Sequence, residues 1–401
     1  MKYLIIGNGI AGTTASLNIR KFDANGEITI ITEEDLPFYS RIRLPEYLAG
    51  AIDEKKLLLY NDLWYEHNRI TLITNNKVAS IDAGKKLIFL NGNVRIPYDR
   101  LLVATGSRAS VPALRGVDKK GIFTLRTIAD ARRIKEYAEK AVSIVILGGG
   151  ALGLEIGNAL RNIGKSVTFV EYFPRLLPRQ MDIEGSRIFR GKLESYGLRF
   201  ILEARADEVL GNDTVEGLML LDGRSVRGQM LIISAGIIPE ISLFSSTGIA
   251  LGKGVPVNDR METELPDVYA AGDVVEYRGM VYGIWSAAEK QGEVAGINMA
   301  GGNTKYTGTT LLHTITVAGI EVLSAGELDL DCRLPSLVYK DAGKGIYRKM
   351  VIRDNCVVGC ILCGDTTGRK EVVAAVKERR PLKDMQESFE KLNLIWMQPQ
   401  E

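Results

Sequence analysis

A short apolar run that ends in a glycine-rich turn occurs twice in this chain, and the same order of elements follows each time. Lys2–Ile6 leads into Gly7-Asn8-Gly9-Ile10-Ala11-Gly12, a helical stretch through Arg20 and a second apolar run, Glu27–Thr32. Val142–Leu147 leads into Gly148-Gly149-Gly150-Ala151-Leu152-Gly153, a helical stretch through Ile163 and the run Ser166–Val170. Strand, glycine turn, helix, strand, written twice, predicts two dinucleotide-binding units. The first glycine of such a turn lets the chain leave the strand sharply. The second lets backbone N–H groups approach a pyrophosphate, and the third lets helix and strand pack closely. Each second strand also ends in a carboxylate: Glu33, 21 residues after Gly12, and Glu171, 18 residues after Gly153. A carboxylate there accepts hydrogen bonds from ribose hydroxyls and repels a 2′-phosphate, which predicts NAD(H) rather than NADP(H) at the second turn.

Further fragments extend the parallel. Leu101-Leu102-Val103-Ala104-Thr105-Gly106 and Leu231-Ile232-Ile233-Ser234-Ala235-Gly236 read as return strands beside each nucleotide, and Val268–Asp273 is an apolar strand ending in Gly272-Asp273 before a helical run, Ala287–Ala300. The 401 residues suggest two to three domains at about 150 residues each. With 46% hydrophobic and 25% charged residues the chain is expected to fold, and its net charge of +2 gives no global field for nucleic acid. The longest apolar stretch, Ala141–Leu154, has 14 residues, short of the roughly 20 that cross a bilayer. The N-terminal segment runs straight into a strand without the apolar core and cleavage site of an export signal, and a cytoplasmic location is the expectation.

On these motifs the sequence resembles the FAD-dependent pyridine nucleotide-disulfide oxidoreductase superfamily, over residues 1–305. The resemblance implies an α/β fold: two Rossmann-like domains, for FAD and NAD, with the NAD domain inserted in the FAD domain, plus a C-terminal α+β domain. Residues 1–110 and 235–305 would form the FAD-binding domain, 111–234 the NAD-binding domain, and 306–401 the C-terminal interface domain and tail. The first glycine turn would bind FAD, the second the nicotinamide nucleotide, and Gly272-Asp273 the ribityl-pyrophosphate region. The cofactor-binding residues implied are Gly7, Gly9, Ile10, Ala11, Gly12, Glu33, Glu34, Arg41, Val78, Ala104, Thr105, Gly106, Arg126, Gly148, Gly150, Ala151, Leu152, Gly153, Glu171, Gly236, Gly272, Asp273 and Trp285. Trp285 would border the isoalloxazine, with the helix after it aiming its positive end at the flavin carbonyl that gains charge on reduction.

In that superfamily disulfide reductases carry a CxxxxC near the segment Pro37–Glu46, and CoA-disulfide reductases and NADH peroxidases carry a single cysteine. Here all four cysteines (Cys332, Cys356, Cys360, Cys363) lie in the last fifth of the chain. Without a thiolate to attack a disulfide or become a sulfenic acid, disulfide reduction through that segment is excluded. What remains resembles the branch that passes electrons from flavin to a separate redox protein: NADH:rubredoxin oxidoreductases, the flavin portion of nitrite reductase large subunits, and ferredoxin reductases. Those relatives carry a comparable Tyr-x-Arg segment (Tyr39-Ser40-Arg41), Leu125-Arg126-Thr127, and a tryptophan like Trp285 before Gln291-Gly292.

The departure is Glu46. Several relatives have Lys or His around this position, paired with the glutamate corresponding to Glu155 near the two rings. A second carboxylate close to Glu155 would raise the pKa of one of the two, unless Arg41 or Arg43 supplies the charge. Arg43 is the expected compensator, so Glu155 and Arg43 take the catalytic positions; the alternative is that Glu46 turns outward. The implied reaction is hydride transfer from NADH C4 to flavin N5, then electron release to a small carrier of the rubredoxin or ferredoxin class. Two alternatives stay open: the flavin subunit of a larger, nitrite reductase-like enzyme, and a redox-responsive FAD/NAD-binding switch protein.

Elsewhere the residues read as structural. His67 and His313 have no partner nearby in sequence, and Cys356-x3-Cys360-x2-Cys363 reads as a turn and a buried strand rather than a metal site. The segment Tyr306–Lys383 shows alternating apolar positions in Thr314–Val322 and Tyr347–Val351, then a helix from Arg369 to Arg379. Between Asp331 and Asp384 there are 12 Lys or Arg and 7 Asp or Glu, which suits either a dock for an acidic carrier or a solvated helix face. In the tail, Phe389, Leu392, Leu394, Ile395, Trp396 and Met397 are expected to pack on another surface, such as a second subunit of a homodimer.

Overall fold

The computed structural model describes residues 1–92 and 94–385, together with the backbone of residues 395–397. Two compact units emerge. The first comprises Met1–Leu44, Ile52–Ala109 and Ile237–Thr309, and the second Pro45–Ala51, Ser110–Gly236 and Thr310–Glu401.

The first unit is built on a five-stranded parallel sheet in the order Val268–Ala270, Arg100–Val103, Lys2–Ile6, Glu27–Ile31, Ile70–Ile73. Its central strand is an unbroken apolar run because both faces are covered: Leu4, Ile5 and Ile6 are all at most 5% exposed. The helix Ile10–Phe22 leaves this strand through the glycine turn. A second helix, Trp285–Met299, packs against it at backbone distance: a Cβ at Gly292 would lie 2.3 Å from the Ala11 carbonyl oxygen, and one at Gly296 would lie 2.4 Å from that of Ala15. This second helix begins two residues before the run read from the sequence. A three-stranded antiparallel sheet, Val78–Asp82, Leu87–Leu90 and Arg95–Pro97, precedes the return strand.

The second unit repeats this plan. Its parallel sheet runs Arg199–Ile201, Ser166–Val170, Ser143–Leu147, Met230–Ile233, Ile122–Phe123, again with the first strand at the centre and the return strand beside it. The helix Ala151–Asn162 follows the glycine turn, and an antiparallel sheet of Ala206–Leu210, Gly217–Leu220 and Ser225–Arg227 again precedes the return strand. In each parallel sheet the crevice beyond the carboxyl ends of the central and return strands is where α/β sheets of this topology hold ligands.

Also in the second unit is a six-stranded antiparallel sheet, in the order Leu312–Val317, Ile320–Gly326, Cys356–Gly364, Ile346–Arg353, Ser336–Asp341, Ile395–Met397. The apolar alternation through Thr314–Val322 is split by a turn at Ala318-Gly319, both with positive φ, so it forms a hairpin. One face of the sheet, including Leu323, Met350, Cys360 and Leu362, packs on Val372, Ala375 and Val376 of the helix Arg369–Glu378. The other face meets the helix Ile183–Ser195. Asp182 caps that helix by accepting from the Gly185 N–H at 2.9 Å. Its second oxygen accepts from the Tyr347 hydroxyl at 2.6 Å and lies 3.1 Å from the Lys349 ammonium. Asp182 and Lys349 are both 1% exposed. The apolar tail from Phe389 to Leu394 lies outside the described residues.

Candidate functional site: two dinucleotide turns

Both glycine turns have the geometry their spacing calls for. Gly7 has φ +110°, and a Cβ there would lie 2.2 Å from the Ala104 carbonyl oxygen; Gly148 has φ +119°, and its Cβ would lie 2.3 Å from that of Ser234. Only glycine lets the turn and the end of the return strand approach so closely. The third glycines, Gly12 and Gly153, set their helices against the turn itself, with added Cβ atoms 2.1 Å and 2.5 Å from the carbonyl oxygens of Gly7 and Gly148. The middle glycines behave differently. Gly9 and Gly150 are the N-caps of their helices, neither helix has a side-chain cap bond, and a Cβ on either would meet nothing within 4 Å. Each helix therefore opens, with uncapped N–H groups, on free space of the kind a pyrophosphate fills. In the first turn the buried Asn8 Nδ2 also lacks a hydrogen-bond partner among the described residues, while its Oδ1 accepts from Tyr65 Oη at 2.9 Å. That orphaned donor fits a phosphate acceptor. Asn8 and Tyr65 were not singled out from sequence, although Asn8 sits inside the glycine turn.

The remaining predicted residues of the first unit surround that turn. Glu33 is exposed and lies 3.5 Å from Lys77 Nζ. Glu34 is held by the Tyr39 hydroxyl and the Arg41 guanidinium. Burial works against the Arg41 charge, but Glu34, then Tyr39, Asp273 and Glu33, outweigh it and raise the pKa, so Arg41 is a fixed cation among acids. Asp273 accepts from Ser107 Oγ at 2.9 Å, and the Gly272 N–H donates to Gln291 Oε1 at 2.9 Å, which ties the Gly-Asp pair to the helix Trp285–Met299. Trp285 opens that helix and stacks on Phe38, ring centroids 5.8 Å apart. Thr105 Oγ1 donates to the Glu240 carbonyl at 2.9 Å, and the Gly106 carbonyl accepts from the Glu240 N–H at 2.9 Å. Val78 is buried in the hydrophobic core of this unit. Arg43 donates to the Lys56 carbonyl at 2.9 Å.

In the second unit Glu171 is 5% exposed, and its oxygens accept from the N–H groups of Gly149 at 2.5 Å and Phe173 at 2.8 Å. The carboxylate thus braces the turn as well as standing at the end of its strand. Ala151 and Leu152, the first residues of the helix after this turn, are part-buried. The Arg126 N–H donates to Asp130 at the capping box that starts the helix Ile128–Ala138, and the Gly236 carbonyl accepts from Ser110. Burial, and then the charge of Glu46, push Glu155 up to about 7, although Glu46 itself is solvent-exposed. Glu46 thus acts on Glu155 while reaching solvent.

The cysteines and the basic segment also resolve. Cys360 and Cys363 are three apart on one strand and so point to opposite faces, and burial pushes both thiols up to about 12. Of the 12 cations between residues 331 and 384, eight pair with acids, including Lys340 with Glu184 and Arg369 with Glu321. Lys370, Lys377, Arg379 and Lys383 have no ion pair among the described residues, and all four are exposed on or just beyond the helix Arg369–Glu378. No helix among the described residues is long and apolar enough to cross a membrane.

Two dinucleotide turns, one on each of two similarly wound sheets, define an oxidoreductase of the flavin and pyridine-nucleotide class. A model of the pyridine nucleotide-disulphide oxidoreductase family matches residues 1–292, and the chain belongs to that family. Its members use FAD and NAD(H). Residues 312–380 match the rubredoxin NAD+ reductase C-terminal domain. The chain is 34% identical over 385 residues to a nitrite reductase [NAD(P)H] of Bacillus subtilis, covering 95% of this chain but 48% of that protein, so it spans about half the length of this relative. With the NADH-rubredoxin oxidoreductase of Clostridium acetobutylicum it shares 32% identity over 370 residues, 91% of this chain and 92% of the other. A solved structure of NADH:rubredoxin oxidoreductase from that organism superimposes with a TM-score of 0.81 at 29% identity, covering 98% of this chain and 99% of the other.

Proposed function

We propose that the chain is an NADH:acceptor oxidoreductase that loads electrons from NADH onto FAD and delivers them to a small, acidic electron carrier of the rubredoxin class. FAD, when bound, supplies acceptance of the nicotinamide hydride and its onward release as electrons. The residues of the chain bind and orient. The uncapped helix end at Gly9, with Asn8 Nδ2, would hold the flavin pyrophosphate, and Gly272-Asp273, fixed by Gln291 and Ser107, would hold the chain leading to the ring. The helix end at Gly150 and the braced Glu171 would hold NADH. Glu155, near neutrality in its pKa, would hold or release a proton beside the nicotinamide. Residues 1–110 and 235–305 then act as the FAD domain and 111–234 as the NAD domain, in a cytoplasmic protein.

The observation that carries this reading is the pair of open glycine turns in a chain without a cysteine before residue 332, so that no thiol relay precedes the acceptor. Lys370, Lys377, Arg379 and Lys383, exposed and without an ion pair among the described residues, favour an acidic partner. The test is NADH oxidation by the FAD-loaded protein with rubredoxin, ferredoxin or nitrite as acceptor. Fast turnover with rubredoxin that slows as salt rises supports the proposal. A second reading, the flavin portion of a larger nitrite-reducing enzyme, is favoured by the 34% identity to a relative of which this chain spans only 48%. Rapid reduction by NADH with no turnover on free carriers would favour it.

A further inference from the structure

The second unit contains a cavity of about 370 Å³ that the dinucleotide chemistry does not use. It is lined by His313 and Ser324 of the antiparallel sheet, by Leu328, Asp329 and Leu330 of the segment that follows the strand of Ser324, and by Arg179. Its size falls in the range of about 300–1,000 Å³ typical of small-molecule sites. His313 and Ser324 are opposite each other in the strand pair Leu312–Val317 and Ile320–Gly326, so their side chains share one face.

The polar groups here are not satisfied by one another. Ser324 is 1% exposed, and its Oγ has no hydrogen-bond partner among the described residues. A buried hydroxyl of that kind calls for a partner from outside the chain. The Arg179 guanidinium is exposed and has no hydrogen bond or ion pair among the described residues. Burial holds the His313 imidazole below its ordinary pKa, so it stays neutral and offers one N–H donor. Asp329 is already engaged: its two carboxylate oxygens accept from the N–H groups of Arg333 at 2.9 Å and Leu334 at 2.8 Å. The unspent groups are therefore mainly donors, one of them a cationic fork, set among leucines.

We propose that this cavity is a binding site for a small organic carboxylate. The carboxylate would take the guanidinium of Arg179, whose paired N–H groups match its two oxygens. Ser324 Oγ would gain the partner it lacks, and Leu328 and Leu330 would cover the hydrocarbon body.

The test is a 19F NMR titration of the FAD-loaded full chain with 4-fluorobenzoate. Saturable binding is expected, weakened about tenfold or more by Arg179→Gln. Ser324→Ala is expected to weaken it several-fold. Both variants should reduce bound flavin with NADH at the wild-type rate, and saturating NAD+ should leave the probe in place. Absence of saturable binding to the wild-type protein overturns the proposal. So does equal binding by Arg179→Gln, or displacement by NAD+, which would put the probe at the second glycine turn instead.

Discussion

Lys349→Met tests how the antiparallel sheet is fastened to the helix Ile183–Ser195. Methionine keeps the length and most of the volume of the side chain and removes the charge. The Asp182 carboxylate, 1% exposed, would keep its bonds from Gly185 and Tyr347 but lose the buried Lys349 ammonium, now 3.1 Å away and its only ion-pair partner among the described residues. At that separation the attraction is about 5 kcal/mol with an effective dielectric of about 20. Removing one partner of a buried pair typically costs about 3–5 kcal/mol, because the charge left behind is not resolvated. The measurement is urea unfolding by far-UV circular dichroism, with FAD in constant excess so that cofactor linkage is the same for each variant. The double variant Asp182→Asn/Lys349→Met is expected to regain about 1–2 kcal/mol over the single one, since the asparagine oxygen still caps the helix at Gly185 and its amide nitrogen can donate to the Tyr347 hydroxyl oxygen. A loss below about 1 kcal/mol for Lys349→Met, or a double variant less stable than the single one, would refute the reasoning.

Four further outcomes concern the second turn and the carboxylates around it. Flavin reduction by NADH should show an inflection near pH 7 from Glu155, absent in Glu155→Gln and moved downward in Glu46→Gln; stopped-flow traces across pH decide this. Because the folded pKa of Glu155 is raised from 4.5 to about 7, its contribution to stability is complete below that lower value and is lost as pH climbs to the upper one. Urea midpoints of wild type and Glu155→Gln should diverge in favour of glutamine across that window. Gly150→Val should leave the protein folded and yellow while raising the KM for NADH about tenfold or more, since the space beside Gly150 is open to a side chain but would be denied to a phosphate. An unchanged KM would show that the nucleotide lies elsewhere. Glu171→Ala should narrow the preference for NADH over NADPH, read as the ratio of kcat/KM values, and raise KM for both because Gly149 and Phe173 lose their acceptor. A ratio equal to that of wild type would remove Glu171 from nucleotide choice.

The parallel sheets and their glycine turns were legible because their determinants are local. An apolar run buried on both faces, a glycine where a Cβ would strike Ala104 or Ser234, and a helix in the next dozen residues all lie within one short window. The contacts that join distant segments left no such trace. Asp182 and Lys349 meet across more than 160 residues of chain, and nothing near either position distinguishes a buried ion pair from two ordinary surface charges. Nor does any periodicity tell that Glu34 is taken by Tyr39 and Arg41, leaving Glu33 exposed. The excess of positive charge after residue 331 was real as a count, yet most of it is cancelled by acids such as Glu184, Glu321 and Glu327 that lie outside the counted stretch.

The bare backbone at Gly292 and Gly296 has a consequence for how this site can drift. By letting one helix rest directly on the other, these two positions set the span between the mouth of the first turn and the indole of Trp285. Any bulk added there, even a methyl group, would pry the helices apart and move the indole and the Gln291 anchor together. Retuning the surroundings of Trp285 is therefore open to changes in its neighbours, but closed to changes in the seam that holds it.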